Sequence, residues 1–312
     1  TAMRRIDKRC AILLALFLWT AGAAGCASGG AQATEESEPT VEARSSTSRP
    51  MVDLDGTLWM QSAAEYHAAT RQAYGVARFR LTQALEDSAW TALPRQASEG
   101  EFEEKPPAVI VDVDETVLDN SAYQARLLQQ GESFDPETWN GWCREAKAPA
   151  IPGAVEFAEF AADKGVTIFY VTNREHVVEE PTRENLRKRG FPMADEGDVL
   201  LTKKEKEAWG SDKTPRRHMI AEDYRILLMI GDNLGDFLGE TEVEAAKRRA
   251  KVAAHPDRWG KSWIVLPNPV YGDWEATTFG YDWSLEQNQQ IKRKLNALET
   301  LEGPAKSRDS QQ

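Results

Sequence analysis

Val111-Asp112-Val113-Asp114-Glu115-Thr116 closes an apolar run, residues 108–113, with the length and content of a buried parallel strand. At an extended strand end, side chains two apart point the same way, so Asp112 and Asp114 are expected to face one site. Two carboxylates side by side repel each other, and a divalent cation relieves them. A carboxylate held beside such a cation is also a competent nucleophile toward phosphorus, giving an acyl-phosphate.

Further apolar runs of the same kind stand at 167–172, 199–201, 226–230 and 263–266. Helical patterns fill the gaps. One starts at Pro152-Gly153, turns Val155, Phe157, Ala158 and Phe160 inward and stops at Gly165; others cover 181–189, 214–223 and 236–250. Residues from roughly 57 to 98 read as helical on the spacing of Trp59, Met60, Ala63, Ala64, His67, Thr70, Ala73 and Tyr74, and 284–301 likewise. Alternating strands and helices predict an α/β fold: a doubly wound, mostly parallel sheet with added N-terminal and C-terminal helices, its ligands bound beyond the carboxyl ends of the strands. The second strand ends Tyr170-Val171-Thr172-Asn173-Arg174, placing a hydroxyl and a guanidinium at that rim. The fourth ends Ile230-Gly231-Asp232-Asn233-Leu234-Gly235-Asp236, where Gly231 allows close backbone approach and Asp232 adds an oxygen ligand of the kind Mg²⁺ prefers. Between them, 203–217 is cationic and can supply a lysine.

Composition bounds the function. The 312 residues are 41% hydrophobic and 28% charged, the mixture of a folded chain. With 38 Lys and Arg against 50 Asp and Glu, the net charge of −12 excludes a sequence-independent binder of nucleic-acid polymers and leaves room for a small phosphate ester in a local cationic pocket. Three cysteines make no disulfide scaffold, and the four histidines lack metal-ligand spacing, so zinc is not expected. Taking Met3 as the start, Arg4, Arg5, Lys8 and Arg9 precede an apolar run, 11–25, which is short for a membrane span and suited to a signal peptide over 1–25. Ala23-Ala24-Gly25-Cys26 fits lipoprotein processing with lipidation of Cys26; ordinary secretory cleavage is the competing reading. Residues 26–50, rich in Ala, Ser, Thr, Gly and Glu, read as a flexible tether, 51–302 as the folded domain and 303–312 as a disordered tail. The expectation is an exported protein anchored to the membrane by its N-terminal lipid, with Ala27 favouring the outer membrane.

Asp-x-Asp-x-Thr at 112–116, a strand ending in Thr172, a lysine, and Gly-Asp-x-x-x-Asp at 231–236 together resemble the haloacid dehalogenase (HAD) superfamily of phosphotransferases. The strings 111–123, Pro-Gly-Ala-Val-Glu-Phe (152–157), 170–174, 231–237 and Leu-Pro-Asn-Pro-Val-Tyr-Gly-Asp-Trp-Glu (266–275) are narrower and similar to the class C acid phosphatases, surface lipoproteins that act as broad-specificity phosphomonoesterases and 5′-nucleotidases. The likeness runs in order through residues 57–300. It implies a HAD-like Rossmannoid core, in which Asp112 attacks phosphorus, while Asp114 protonates the leaving alkoxide and then deprotonates the hydrolytic water. It implies Mg²⁺ held by Asp112, the backbone carbonyl of Asp114 and Asp232, with Asp236 near the metal or the lysine. Thr172 would bond the phosphoryl group and Lys213 neutralise it, chosen over Lys203, Lys204 and Lys206 because Ser211-Asp212-Lys213 with Arg216 fits the family's Ser-x-Lys-x-x-Arg pattern. A homodimer is likewise implied only by the likeness.

Competing readings stay open at several positions. Thr172 can also cap a helix. Asn173 and Arg174 are candidates to touch substrate, and Arg174 can instead stabilise the acidic rim. Trp139, Trp142, Tyr271 and Trp274 can stack on a nucleoside base or pack a lid, with Tyr271 first among them. Cys143 reads as a buried small residue in a Trp-rich loop, and Asp53, in a second Asp-x-Asp-Gly-Thr string, as a helix cap. The reading is an exported, Mg²⁺-dependent phosphomonoesterase favouring nucleoside 5′-monophosphates, most active on the acid side of neutrality because Asp114 must start protonated. A nucleotide-binding lipoprotein without turnover is the alternative from another class.

Overall fold

The five apolar runs pair into one sheet in a computed structural model that describes residues 53–193 and 197–300. The leader, Cys26, the tether and the 303–312 tail lie outside the described residues. The strands are β1 (Pro107–Val111), β2 (Thr167–Glu175), β3 (Leu200–Lys203), β4 (Arg225–Gly231) and β5 (Trp263–Val265), in the order β3-β2-β1-β4-β5 with every pairing parallel. Every residue of β4 is buried, as a central parallel strand covered on both faces requires. From β1 the chain works outward to β2 and β3, then returns to the other side for β4 and β5. The order therefore reverses between β1 and β4, and the crevice beyond their carboxyl ends is where ligands bind in such sheets.

Eleven α-helices surround this sheet among the described residues: α1 (Leu54–Ser62), α2 (Ala64–Glu86), α3 (Pro94–Glu99), α4 (Ser121–Gln130), α5 (Pro136–Glu145), α6 (Ala154–Asp163), α7 (Glu179–Lys188), α8 (Thr214–Asp223), α9 (Ala245–Ala253), α10 (Asp273–Ala276) and α11 (Gln287–Asn296). On α2, Tyr66, Thr70, Tyr74, Ala77, Leu81 and Ala84 form the buried stripe, spaced three and four apart. The Tyr74 hydroxyl donates to the carbonyl of Thr116 at 2.7 Å and so ties this helix to the loop that follows β1.

Three expectations change. The helical stretch expected over 57–98 is divided into three helices, with residues 87–93 outside any of them. Ala63 is extended (ψ 125°), and after α2 the chain crosses to β4, where Ala92 N–H and the Trp90 indole donate to the carbonyls of Ile226 and Leu227. The helix expected over 236–250 begins only at Ala245, because Leu234–Asp236 is a 3₁₀ turn that folds Asp236 back toward the strand. Finally, Trp139, Trp142 and Cys143 lie on α5 rather than in a loop. Its start is marked by Asp135, whose carboxylate accepts from Glu137 N–H and Thr138 N–H, and by Pro136 in the first turn.

Candidate active site

Asp112 leaves β1 still bound to the sheet, its N–H donating to the Ile230 carbonyl at 2.9 Å. The chain then curls: Leu118 N–H returns to the Val113 carbonyl and Glu115 takes a left-handed φ of 54°. Asp112 and Asp114 both line a cavity of about 1360 Å³ beyond the strand ends. At the end of β4, Asn233 N–H donates to Asp236 Oδ2 at 2.8 Å and lays Asp236 against Gly231. A Cβ on residue 231 would fall 2.2 to 2.4 Å from Asp236 atoms, so only glycine permits this fold-back.

One carboxylate oxygen from each of Asp112, Asp232 and Asp236 lies within 4.8 Å of the others. Lys213, just before α8, donates to Asp236 Oδ1 at 2.6 Å and to Asp112 Oδ1. Of the other lysines weighed for this place, Lys204 pairs with Glu175 and Lys206 sits 4.5 Å from the Trp209 ring. Burial would lower the Lys213 ammonium, but Asp112 and Asp236 outweigh it and hold it above its ordinary value. Burial, then the charges of Asp236 and Asp112, push Asp232 well above the usual carboxylate range. Two buried carboxylates and a half-buried one against one ammonium leave a deficit of positive charge among hard oxygen donors, which is the environment a divalent cation fits.

Asp114 is not in that group. Its Oδ1 accepts from Arg174 Nε at 2.9 Å and Asn120 Nδ2 at 2.9 Å, and its Oδ2 from the Thr172 hydroxyl at 3.3 Å. Its carboxylate is therefore turned from the place where a cation would sit. Arg174 is buried, with its remaining nitrogens on Thr182 and Asn120, so its main partner is the acidic rim. Thr172 is fully buried, does not line the cavity, and lies inside β2, which runs on to Glu175; it caps no helix. Asn173 lines the cavity while clasping the Lys213 loop: its Nδ2 donates to the Ser211 carbonyl and its Oδ1 accepts from Arg216.

The aromatic candidates separate. Trp139 lines the cavity, edge-on to Tyr123 and 5.5 Å from the Arg174 guanidinium. Trp142 does not line it: one turn further along α5 it faces the core, its indole N–H on Asn120 Oδ1 at 2.8 Å, so it offers no stacking face to a ligand. Tyr271 lines the cavity with its hydroxyl on Glu115, while Trp274 is half exposed beside it. Cys143 is buried next to Trp142, and burial pushes its thiol up to about 12. Asp53 precedes α1 rather than ending a strand. Its side chain makes no capping bond but lines the cavity, and burial, with Glu275 second, pushes its carboxyl up to about 6.

Four side chains of the site were not singled out in the sequence. Glu115 is buried and accepts from Asn120 N–H at 2.8 Å; Asn120 joins Asp114, Arg174 and Trp142. Asn268 donates to Asp232 Oδ2 at 2.8 Å, and Phe134 stands on the cavity lip. The first three fall inside the motif strings at 111–123 and 266–275, which was the available signal.

An aspartate pair beyond a central parallel strand, faced by a buried lysine and a second acidic pair beyond the neighbouring strand, defines a phosphoryl-transfer site of the HAD type. The chain matches the HAD superfamily, subfamily IIIB (acid phosphatase) over residues 31–274 and belongs to that family. It is similar to the class C acid phosphatase of Bacillus anthracis, with 32% identity and a TM-score of 0.70 over 80% of this chain and 98% of that one; the same protein with tungstate bound matches equally. Acid phosphatase 1 of Solanum lycopersicum is 30% identical over 171 residues and the stem 31 kDa glycoprotein of Glycine max 25% over 166. The chain spans 57% and 58% of the length of those two relatives, respectively.

Proposed function

We propose that the protein is an exported, lipid-anchored, Mg²⁺-dependent phosphomonoesterase that works through an aspartyl-phosphate on Asp112 and favours nucleoside 5′-monophosphates. The observation that carries this is Asp112 itself: a buried carboxylate facing a cavity, held by Lys213 and flanked by Asp232 and Asp236. Tungstate is a tetrahedral oxyanion like phosphate, and its capture by the Bacillus anthracis relative supports the same ligand class here.

An Asp112 oxygen attacks phosphorus, the ester P–O bond breaks, and the leaving alkoxide takes a proton from Asp114. Because Arg174 and Asn120 occupy Oδ1 of Asp114, Oδ2 is the oxygen that carries that proton. Asp114 then removes a proton from water, which attacks phosphorus and breaks the bond to Asp112, releasing phosphate. Lys213 neutralises the charge that gathers on the phosphoryl oxygens, and Thr172 acts through Asp114 by fixing its rotamer. Asp112, Asp232 and Asp236 would hold Mg²⁺, which when bound supplies Lewis-acid charge to the phosphoryl group. Trp139 and Tyr271 are the faces on which a base can stack. Export, anchoring through Cys26 at the outer membrane and homodimer formation complete the reading and rest on the leader sequence and the family.

The test is phosphate release from AMP at pH about 5.5, with Mg²⁺ and with EDTA. Release that EDTA abolishes supports the reading. No release from AMP or from an aryl phosphate sinks it and leaves a nucleotide-binding protein, which ligand titration would then measure.

A further inference from the structure

The loop after β5 is fastened to the acidic centre at both ends. At one end Asn268 donates to Asp232 at 2.8 Å, and its Oδ1 accepts from the N–H groups of Val270 and Tyr271. At the other end the Tyr271 hydroxyl donates to Glu115. Glu115 follows Asp114 directly, is 1% exposed, and owes its inward direction to the left-handed φ at that residue. Its second oxygen accepts from Asn120 N–H, and Asn120 holds Asp114 Oδ1. The mechanism above uses neither Glu115 nor the Tyr271 hydroxyl.

We infer that Glu115 is a positioning residue that acts through Tyr271: it sets the distance between the aromatic wall and the reacting aspartates, and so selects phosphomonoesters whose leaving group carries a flat ring. The inference rests on the phosphatase reading and on Tyr271 as a stacking face. With the clasp closed, the ring stands at a fixed height above the phosphoryl position. With it open, the Asn268 anchor and the buried Val270 still hold the loop, but the Tyr271 ring loses its tether to the aspartates and is free to swing from the base.

The experiment compares wild type, Glu115→Gln, Tyr271→Phe and the double variant on AMP and on glycerol 1-phosphate, which has no ring. Each single substitution is expected to raise KM for AMP about tenfold, the scale of one buried hydrogen bond lost, with a much smaller rise for glycerol 1-phosphate and little change in kcat. The double variant is expected to be no worse than the weaker single, because both remove the same contact. An unchanged KM for AMP in Tyr271→Phe overturns the inference, as do additive effects. So does a loss in Glu115→Gln that falls on kcat equally for both substrates, which would place its action on Asp114 through Asn120. If Glu115→Gln does not fold, as a thermal melt would show, Tyr271→Phe on the two substrates decides alone. If wild type releases no phosphate, the phosphatase reading has failed. AMP affinity by calorimetry then tests the clasp: a tenfold drop in Tyr271→Phe supports it, and an unchanged or absent affinity overturns it.

Discussion

The two sides of the cavity are built on different terms. On the inner side, Asp112, Asp236 and Lys213 are buried against one another, and Asp114 is held by Arg174, Asn120 and Thr172. Apart from Asn120, which stands just before α4, these groups come from the ends of β1, β2 and β4 and from the loop before α8, elements locked by the sheet or by Arg216. On the outer side stand Phe134, Trp139 and Tyr271, carried by loops and a short helix, with Phe134 61% exposed. The inner groups can do chemistry only in one geometry and are fixed before substrate arrives. The outer wall supplies area, tolerates exchange and sets what is bound.

That contrast breaks most directly at the centre. Asp112→Asn is expected to fold normally and to lose turnover by a factor of roughly 10⁴ or more, measured as kcat on AMP. Next is Gly231→Ala, which removes no catalytic side chain but sets a Cβ 2.2 to 2.4 Å from Asp236 atoms, so Asp236 must move. A displacement of about 1 Å there should cost roughly 10²-fold in kcat and weaken cation binding in a metal titration. Mg²⁺ should raise the melting temperature of wild type, by about 2.7 kcal/mol of stability at a hundredfold excess over Kd, and Asp232→Asn should abolish that rise. An equal rise in the variant would place the cation elsewhere.

The outer wall gives smaller effects. Gly56→Ala on α1 would ordinarily stabilise a helix by about 1 kcal/mol. Here the new Cβ meets the Pro269 carbonyl at 2.6 Å, so the variant should melt lower and bind AMP more weakly while kcat holds. A melt at or above wild type would mean that the Tyr271 loop is looser than its anchors suggest. Smallest of all, Cys143 should be inert. With its thiol pushed up to about 12 by burial, the thiolate is scarce at pH about 8, and a disulfide reagent should label it only after unfolding.

The same contrast explains what the sequence could reveal. Asp112 with Asp114, and Gly231-Asp232 with Asp236, are legible because strand ends impose a spacing of two and a tight turn imposes a glycine. The sheet is legible because the central stretch of each parallel strand is buried and so must be a short apolar run. Lys213 has no such local mark among its neighbouring lysines; only likeness to a family singles it out. Glu115 was hidden by its own backbone, since a left-handed turn redirects the side chain and no periodicity foretells it. Trp142 was misplaced because its surroundings read as an irregular Trp-rich loop, although Asp135-Pro136 announces α5; Trp139 and Trp142 share the face that packs on Tyr123, and one turn along the helix takes Trp142 below the cavity into the core. The break at Ala63 carries no proline or glycine, so the apolar period runs across it unmarked.

The central claim is that Asp112 becomes phosphorylated during turnover. Rapid mixing with AMP, acid quench and borohydride reduction convert an acyl-phosphate to homoserine, which peptide mass spectrometry locates. The account predicts homoserine at position 112, absent without substrate and absent in Asp112→Asn. Phosphate release with no modified aspartate, or with the modification at Asp114, would contradict it.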